Sequence, residues 1–131
     1  MNKEIINKTE AVLKETFANS TYLQQNPSEA AYRLEHSYRV ANIAKEIALA
    51  EGFDVTQAVV AGLLHDIAYC EEMVTREDHR NHGRRGAEIA RPFWNPWAFH
   101  RKMSMLFVTA LLSMWTTRLP LNGNALRFLK P

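Results

Sequence analysis

The chain has 131 residues, 47% hydrophobic and 23% charged, a composition typical of one globular domain rather than a disordered chain. Its formal net charge of +2 conceals two segments of opposite sign. Residues 1–93 carry 11 Lys/Arg against 14 Asp/Glu and sum to −3. Residues 94–131 carry five basic residues, no acid and all three tryptophans, and sum to +5. Because protein surfaces ordinarily mix both signs, the acid-free segment is anomalous.

The sequence argues against secretion, membrane insertion and binding to a nucleic-acid polymer. A lone cysteine, Cys70, and an N-terminus without an uninterrupted apolar stretch favour a cytoplasmic protein without disulfides. The longest apolar run, residues 103–115, is too short to cross a bilayer as a helix, so we expect no membrane span. Five positive charges spread over 38 residues also make a poor surface for tracking phosphates.

The first predicted elements are two helices. Residues 3–18 place apolar residues at mixed three- and four-residue spacings, which indicates an amphipathic helix. A second helix is predicted to begin at the Pro27-Ser28 turn, to run to about Ala50 and to stop at Gly52. Its predicted apolar stripe holds Tyr32, His36, Val40, Ile43 and Ile47.

Two more helices complete the first segment. A third opens at Asp54, a favourable N-cap residue, and carries apolar residues as far as Ile67. The polar residues 70–81 are predicted to form a loop, and a fourth helix is predicted from about residue 82 to 90, ending near Pro92. No stretch of residues 1–93 alternates like a strand, so the predicted class is all-α.

Chemistry-bearing residues concentrate in three places. His36 lies on an apolar helical stripe, where a buried imidazole needs partners for both ring nitrogens. His65 and Asp66 close an otherwise apolar helix, where a carboxylate is costly unless it is paired or bound to metal. These residues are also compatible with a core histidine bonded to a carbonyl and with an aspartate that faces solvent at a helix end.

The third place is the segment EDHRNHGRRG. Its histidines, His79 and His82, suit either a solvated loop or a ligand cluster. Its arginines, Arg80, Arg84 and Arg85, form either a solvated basic patch or a clamp for a phosphate.

Imidazole and carboxylate ligands together suit a divalent metal ion such as Mn, Fe, Co, Ni or Zn. Adjacent helical positions point about 100° apart, so one ion can contact both side chains, and a histidine from another helix can complete the set. Such an ion makes bound water acidic enough to yield hydroxide near neutral pH.

The three stretches EHSYRVANIAKEIA, LLHDIAY and HRNHGRRGAEIA together resemble the HD domain superfamily of metal-dependent phosphohydrolases, over roughly residues 30–93. The resemblance implies an all-α domain, metal ligation by His36, His65 and Asp66, and hydrolysis of a phosphate ester, often of a nucleotide. In two-metal members Asp66 would bridge, and His82, or otherwise His79, would bind the second ion or the substrate. Asp66 and His82 are therefore the candidate catalytic residues.

The family pattern also includes a later aspartate that completes the metal shell. This sequence has no Asp after Asp78 and no acid after Glu88. We therefore expect a helical domain of residues 1–93, incomplete at its C-terminus, followed by the anomalous segment 94–131. The oligomeric state is left open by the sequence.

Three functions compete at this point. The first is a phosphohydrolase that acts on a small, nucleotide-like phosphorylated molecule. The second is an inactive helical module that binds a nucleotide or a protein partner. The third is a basic protein that associates with a membrane or a nucleic acid, which the irregular spacing of the tail charges disfavours.

A change of reading frame near Phe93 would account for the anomalous segment. Met and Trp each have a single codon ending in G, so some codons of the shifted frame are forced. Trp94-Asn95 forces Glu and Trp115-Thr116 forces Asp, which are the residue types that the unshifted segment lacks. We predict that resequencing the encoding DNA around the Phe93 codon reveals a shifted frame. Independent support for the unshifted frame would contradict this hypothesis.

Overall fold

The structure, a computed structural model, describes residues 1–94, with side chains for residues 1–93. The acid-free segment therefore lies outside the described residues, apart from the backbone of Trp94. No strand occurs in the described range, which confirms the all-α class. The helices are α1 (Lys3–Ala18), α2 (Thr21–Gln25), α3 (Pro27–Glu51), α4 (Val55–Leu64), α5 (Arg76–Arg80) and α6 (His82–Trp94), with a 3₁₀ turn (Ile67–Cys70) between α4 and α5.

Helix α4 is the centre of the fold. It packs against both α3 and α1, and it is apolar on all sides, as a fully enclosed helix must be. Eight of its ten residues are buried. The predicted cap is confirmed, because the Asp54 side chain accepts a hydrogen bond of 2.9 Å from the Gln57 N–H.

The contact between α3 and α4 is a close backbone approach. A Cβ built at Gly62 on α4 would lie 2.6 Å from the Cα of Ala41 on α3, closer than any real contact. The face of α3 that packs there is therefore lined by small residues. Its buried members are Ser37, Val40, Ala41, Ala44 and Ala48.

The predicted apolar stripe of α3 is correct only in part. Val40 is buried, but Tyr32 and Ile43 are 49% and 47% exposed. The periodicity of the large side chains was misleading, because α3 meets α4 through alanines that allow close approach rather than through its largest residues. The helix ends where predicted, since Gly52 adopts the left-handed conformation with φ 75°.

Helices α2 and α6 contact the 3₁₀ turn that follows the C-terminal end of α4. Helix α6 packs on the 3₁₀ turn that follows α4. Helix α2 was not predicted from the sequence. Its N-cap residue, Ser20, accepts a hydrogen bond from the Leu23 N–H, and its hydroxyl donates to the Cys70 carbonyl at the end of the 3₁₀ turn.

Two details differ from the sequence prediction. The predicted loop 70–81 contains α5, which starts with a capping box made by Thr75 and Asp78. Helix α6 does not stop near Pro92 but includes it. Because proline has no N–H, it cannot donate the helical hydrogen bond to the carbonyl of Glu88, four residues earlier. Glu88 is exposed on the surface of the helix.

Within the described residues, no helix has both the length and the apolar character that crossing a bilayer requires.

We predict that Gly62→Ala lowers the free energy of unfolding by about 1–3 kcal/mol, because the new methyl group meets the α3 backbone and the helices must separate. Urea unfolding followed by circular dichroism measures this change.

Gly86→Ala on α6 is the matched control. Its Cβ would lie 3.4 Å from Cγ2 of Ile67, an ordinary contact with a side chain. Alanine favours a helix over glycine by about 1 kcal/mol, so this variant should be as stable as the native protein or more stable. Equal stability of the Gly62→Ala variant and the native protein would show that the close approach is not a constraint.

Candidate metal centre

His36 reaches the centre from the middle of α3. Its side chain is largely buried, at 14% exposure, and its ring stacks on that of Tyr32, with centroids 5.8 Å apart and planes 16° from parallel. The residue lies on the side of α3 that faces the end of α4, because the close contact at Gly62 brings these two helices together.

His65 and Asp66 stand where α4 ends. His65 is the C-cap residue and keeps a helical backbone, whereas Asp66 departs from it at φ −114° and ψ 19° and begins the 3₁₀ turn. Both residues are buried, at 4% and 5% exposure. The change of backbone course lets two neighbouring side chains approach the same point.

Three donor atoms from these residues form an almost equilateral triangle. The Nε2 atoms of His36 and His65 are 3.2 Å apart, and each lies 3.2 Å from Oδ2 of Asp66. Two nitrogen atoms and one carboxylate oxygen thus converge in a buried place. The three residues form a group that could hold a metal ion.

The hydrogen bond from the His65 ring to a backbone carbonyl identifies which of its two nitrogen atoms faces the centre. Its Nδ1 lies 2.7 Å from the carbonyl oxygen of Gly62. A carbonyl only accepts hydrogen bonds, so Nδ1 carries a proton and Nε2 is the nitrogen directed at the centre. Nε2 lies 3.2 Å from Oδ2 of Asp66, a contact that is favourable when a proton or a metal ion lies between the two atoms.

The dimensions of the triangle fit a divalent ion. Ligand atoms bound at about 2.0–2.2 Å lie about 2.8–3.1 Å apart at adjacent octahedral positions and about 3.3–3.6 Å apart in a tetrahedron, so the observed separation of 3.2 Å is close to both. A backbone carbonyl that orients a ligating imidazole is also the usual support of such sites. The chemistry of the donor set therefore fits the metal ion predicted from the sequence.

The second oxygen of Asp66 faces His82, the first residue of α6. The Oδ1 atom lies 3.3 Å from Nε2 of His82, whose Nδ1 donates to the carbonyl of His79. The His79 side chain contacts Tyr69 instead, with its Nδ1 3.1 Å from the Tyr69 hydroxyl. Of the two histidines predicted from this segment, the structure thus brings His82 to the carboxylate, where Asp66 offers one oxygen to each side.

The electrostatics of the cluster favour an ionised Asp66 and a neutral His36, the charge states in which these two residues bind a cation. Burial raises the pKa of Asp66, but the neighbouring His65 and His82 outweigh it, so the pKa lies well below its ordinary value. Burial lowers the pKa of His36 despite the nearby carboxylate, which favours the neutral imidazole. Contact with Asp66 raises the pKa of His82. The carboxylate therefore attracts positive charge, either as a proton on His82 or as a metal ion.

The predicted phosphate-binding arginines lie apart from this contact network. Arg85 forms ion pairs with Glu71, at 2.7 Å, and with Glu88, at 3.0 Å. Arg80 and Arg84 are exposed on α5 and α6. Phosphate binding by these three residues stays a prediction.

Sequence reasoning missed a different cation, Arg33. Its Nη1 lies 3.6 Å from Oδ2 of Asp66, and its guanidinium lies 3.6 Å above the centre of the Tyr69 ring. The available signal was its spacing, since Arg33 precedes His36 by three positions and therefore shares its helical face.

Comparison with known proteins places the chain in a family. The HD domain model matches residues 33–116, more than half of the sequence, and the chain belongs to the HD domain family. This confirms the resemblance carried by the motifs around His36, His65 and Asp66. The match continues past residue 93, and the predicted domain boundary and change of frame both stay predictions.

A curated relative supports the same assignment. Ribonuclease Y 1 from Pediococcus pentosaceus is 43% identical over 60 residues, which cover 46% of this chain and 11% of that protein. The chain therefore corresponds to a small part of this relative's length. No solved structure matches the chain.

We predict that Asp66→Asn weakens binding of Mn²⁺ or Zn²⁺ by at least about 100-fold, because the amide removes the charge shared by all the facing histidines. Isothermal titration of metal-stripped protein measures the dissociation constant.

The matched control is Asp54→Asn, the same change at the other end of α4, where asparagine caps a helix equally well. This variant should bind metal like the native protein. Undiminished binding by the Asp66→Asn variant would show that the ion is held elsewhere.

Proposed function

We propose that this protein is a metal-dependent phosphohydrolase that cleaves a phosphate ester in a small, nucleotide-like molecule. The observation that carries the proposal is the buried triangle of His36, His65 and Asp66, in which two imidazole Nε2 atoms and one carboxylate oxygen lie 3.2 Å from one another. Membership of the HD domain family supports the same chemistry.

Under this proposal His36, His65 and Asp66 hold the first ion, which is Mn, Fe, Co, Ni or Zn. Bound there, a divalent ion supplies a Lewis acid that makes water a stronger nucleophile near neutral pH. The Gly62 carbonyl keeps His65 in the tautomer that binds metal. Asp66 is the shared residue, since its two oxygens face different histidines.

His82 has the second role at the centre. Its Nε2 faces Oδ1 of Asp66, on the side away from the triangle, so it is suited to bind a second ion or a substrate oxygen. We propose His82 rather than His79 for this role, because His79 contacts Tyr69 instead of the carboxylate. Loss of His82 should leave the first ion in place.

The acid-free segment favours a second candidate function. Without a later carboxylate the centre has fewer ligands than the family pattern supplies, which favours a module that binds a nucleotide or a protein without turnover. A polymeric substrate is a further outcome to test, because the relative described above is named a ribonuclease.

We predict hydrolysis only when a divalent metal is present. Metal-stripped protein is reloaded with each candidate ion and assayed on a monoester, a diester, a set of nucleotides and a short RNA. His65→Ala should lower turnover by at least about 100-fold, because a ligand of the ion is removed. The same assay on the frame-corrected protein tests whether the altered segment limits activity.

The outcomes separate the candidate functions. Turnover of nucleotides but not of RNA supports the proposal, whereas turnover of RNA alone replaces the expected small substrate with a polymer. Nucleotide binding without turnover by either form of the protein, with any of the metals, supports the inactive module and contradicts the enzyme.

A further inference from the structure

We propose that Arg33 forms an oxyanion subsite beside the metal centre, where its two Nη groups bind the non-bridging oxygens of the substrate's phosphoryl group. The inference deepens the proposed phosphohydrolase function and rests on it. It assigns substrate binding to a residue of α3, in addition to the arginines of the segment 80–85.

The position of Arg33 places a permanent charge next to the triangle. It lies one turn before His36 on α3, and its side chain is only 18% exposed. Its Nη1 stands 3.6 Å from Oδ2 of Asp66, the same oxygen that faces both histidines of the triangle. An anion that binds a metal ion at the triangle would therefore lie close to this guanidinium.

The donors of Arg33 are largely uncommitted. A guanidinium has five N–H donors, but among the described residues only its Nε donates a hydrogen bond, to Glu29 over 3.1 Å. The contact of Nη1 with Asp66 is too long to be a hydrogen bond. At 18% exposure the side chain is within reach of a solute, so its Nη groups are available to an acceptor that enters from outside the described residues.

The guanidinium is also held in place before any ligand arrives. It lies 3.6 Å above the Tyr69 ring and 5.3 Å from the centre of the Tyr32 ring, and Glu29 holds its Nε edge. Tyr69 is itself anchored, since its N–H donates to the Asp66 carbonyl over 3.0 Å. The guanidinium of Arg33 is planar and is held at its Nε atom, so its two Nη groups remain in the arrangement that matches two phosphoryl oxygens.

The triangle leaves room for this interaction. Three ligand atoms on one side of an ion leave its other positions for water and substrate, as in catalytic metal sites generally. A phosphoryl group that occupies such a position brings its other oxygens to the rim of the centre. Among the described lysine and arginine side chains, Arg33 is the one that lies within 4 Å of Asp66.

A purely structural role is the competing explanation. In that explanation Arg33 orients Asp66 for the metal, and its removal weakens metal binding. If Arg33 binds substrate, its removal leaves metal binding unchanged or tightens it, because a positive charge beside the ligands disappears. Metal affinity and phosphate affinity therefore distinguish the two roles.

The experiment titrates inorganic phosphate into Mn²⁺-loaded protein by calorimetry and determines Mn²⁺ affinity separately. Arg33→Gln should weaken phosphate binding about 10- to 100-fold, the range for losing charge-assisted hydrogen bonds. The phosphate affinity of Arg33→Lys should lie between those of the native protein and of Arg33→Gln, because a single ammonium charge replaces the planar guanidinium. Neither variant should weaken Mn²⁺ binding.

Arg39→Gln is the matched control, since Arg39 lies on the same helix, is 55% exposed, forms an ion pair with Glu35 at 3.9 Å and lowers the pKa of His36 less than Arg33 does. It should bind phosphate like the native protein. Circular dichroism establishes that each variant is folded.

Unchanged phosphate affinity in Arg33→Gln, or no phosphate binding by the native protein, overturns the subsite. A tenfold loss of Mn²⁺ affinity in that variant also overturns it, in favour of a residue that positions Asp66. Absence of turnover with every ester would instead contradict the proposed function, and the phosphate titration would still decide the role of Arg33.

Discussion

The close approach of α3 and α4 at Gly62 is the constraint on which the site depends. Only a residue without a side chain allows the Ala41 backbone to come so near, and this contact brings His36 of one helix against the residues that end the other. Gly62 contributes a second time through its carbonyl, which orients His65. One position thus determines both the separation of α3 and α4 and the orientation of the His65 ring.

The buried carboxylate of Asp66 organises the electrostatics around that contact. An ionised carboxylate in a protein interior is unfavourable unless positive charge or hydrogen-bond donors surround it. Here His36 and His65 face one oxygen, His82 faces the other, and Arg33 stands beside the first. A divalent ion among these groups satisfies the carboxylate and the imidazole lone pairs together. The burial of Asp66 is therefore consistent with the proposed metal site.

The family and the local geometry support one interpretation at different levels. Membership of the HD domain family indicates the class of chemistry, while the described residues show how this chain arranges its donors. The neighbouring Tyr32, Tyr69 and Arg33 extend the centre into an aromatic and cationic rim. Such a rim suits a phosphorylated molecule, because phosphoryl oxygens need fixed donors close to the ion. The substrate proposal therefore depends on the surroundings of the triangle as well as on the triangle itself.

The sequence by itself determined the all-α class, three of the helix ends near residues 18, 52 and 54, and the choice of His36, His65 and Asp66, which the structure brings together as a group that could hold a metal ion. These follow from periodicity, caps and motifs, which are local properties. Only the tertiary structure decided which face of α3 is buried, that His82 rather than His79 approaches Asp66, and that Arg33 is the cation beside it. Those outcomes depend on how closely two helices pass. That distance is decided by small residues such as Gly62 and Ala41, whose role no hydrophobic periodicity reveals.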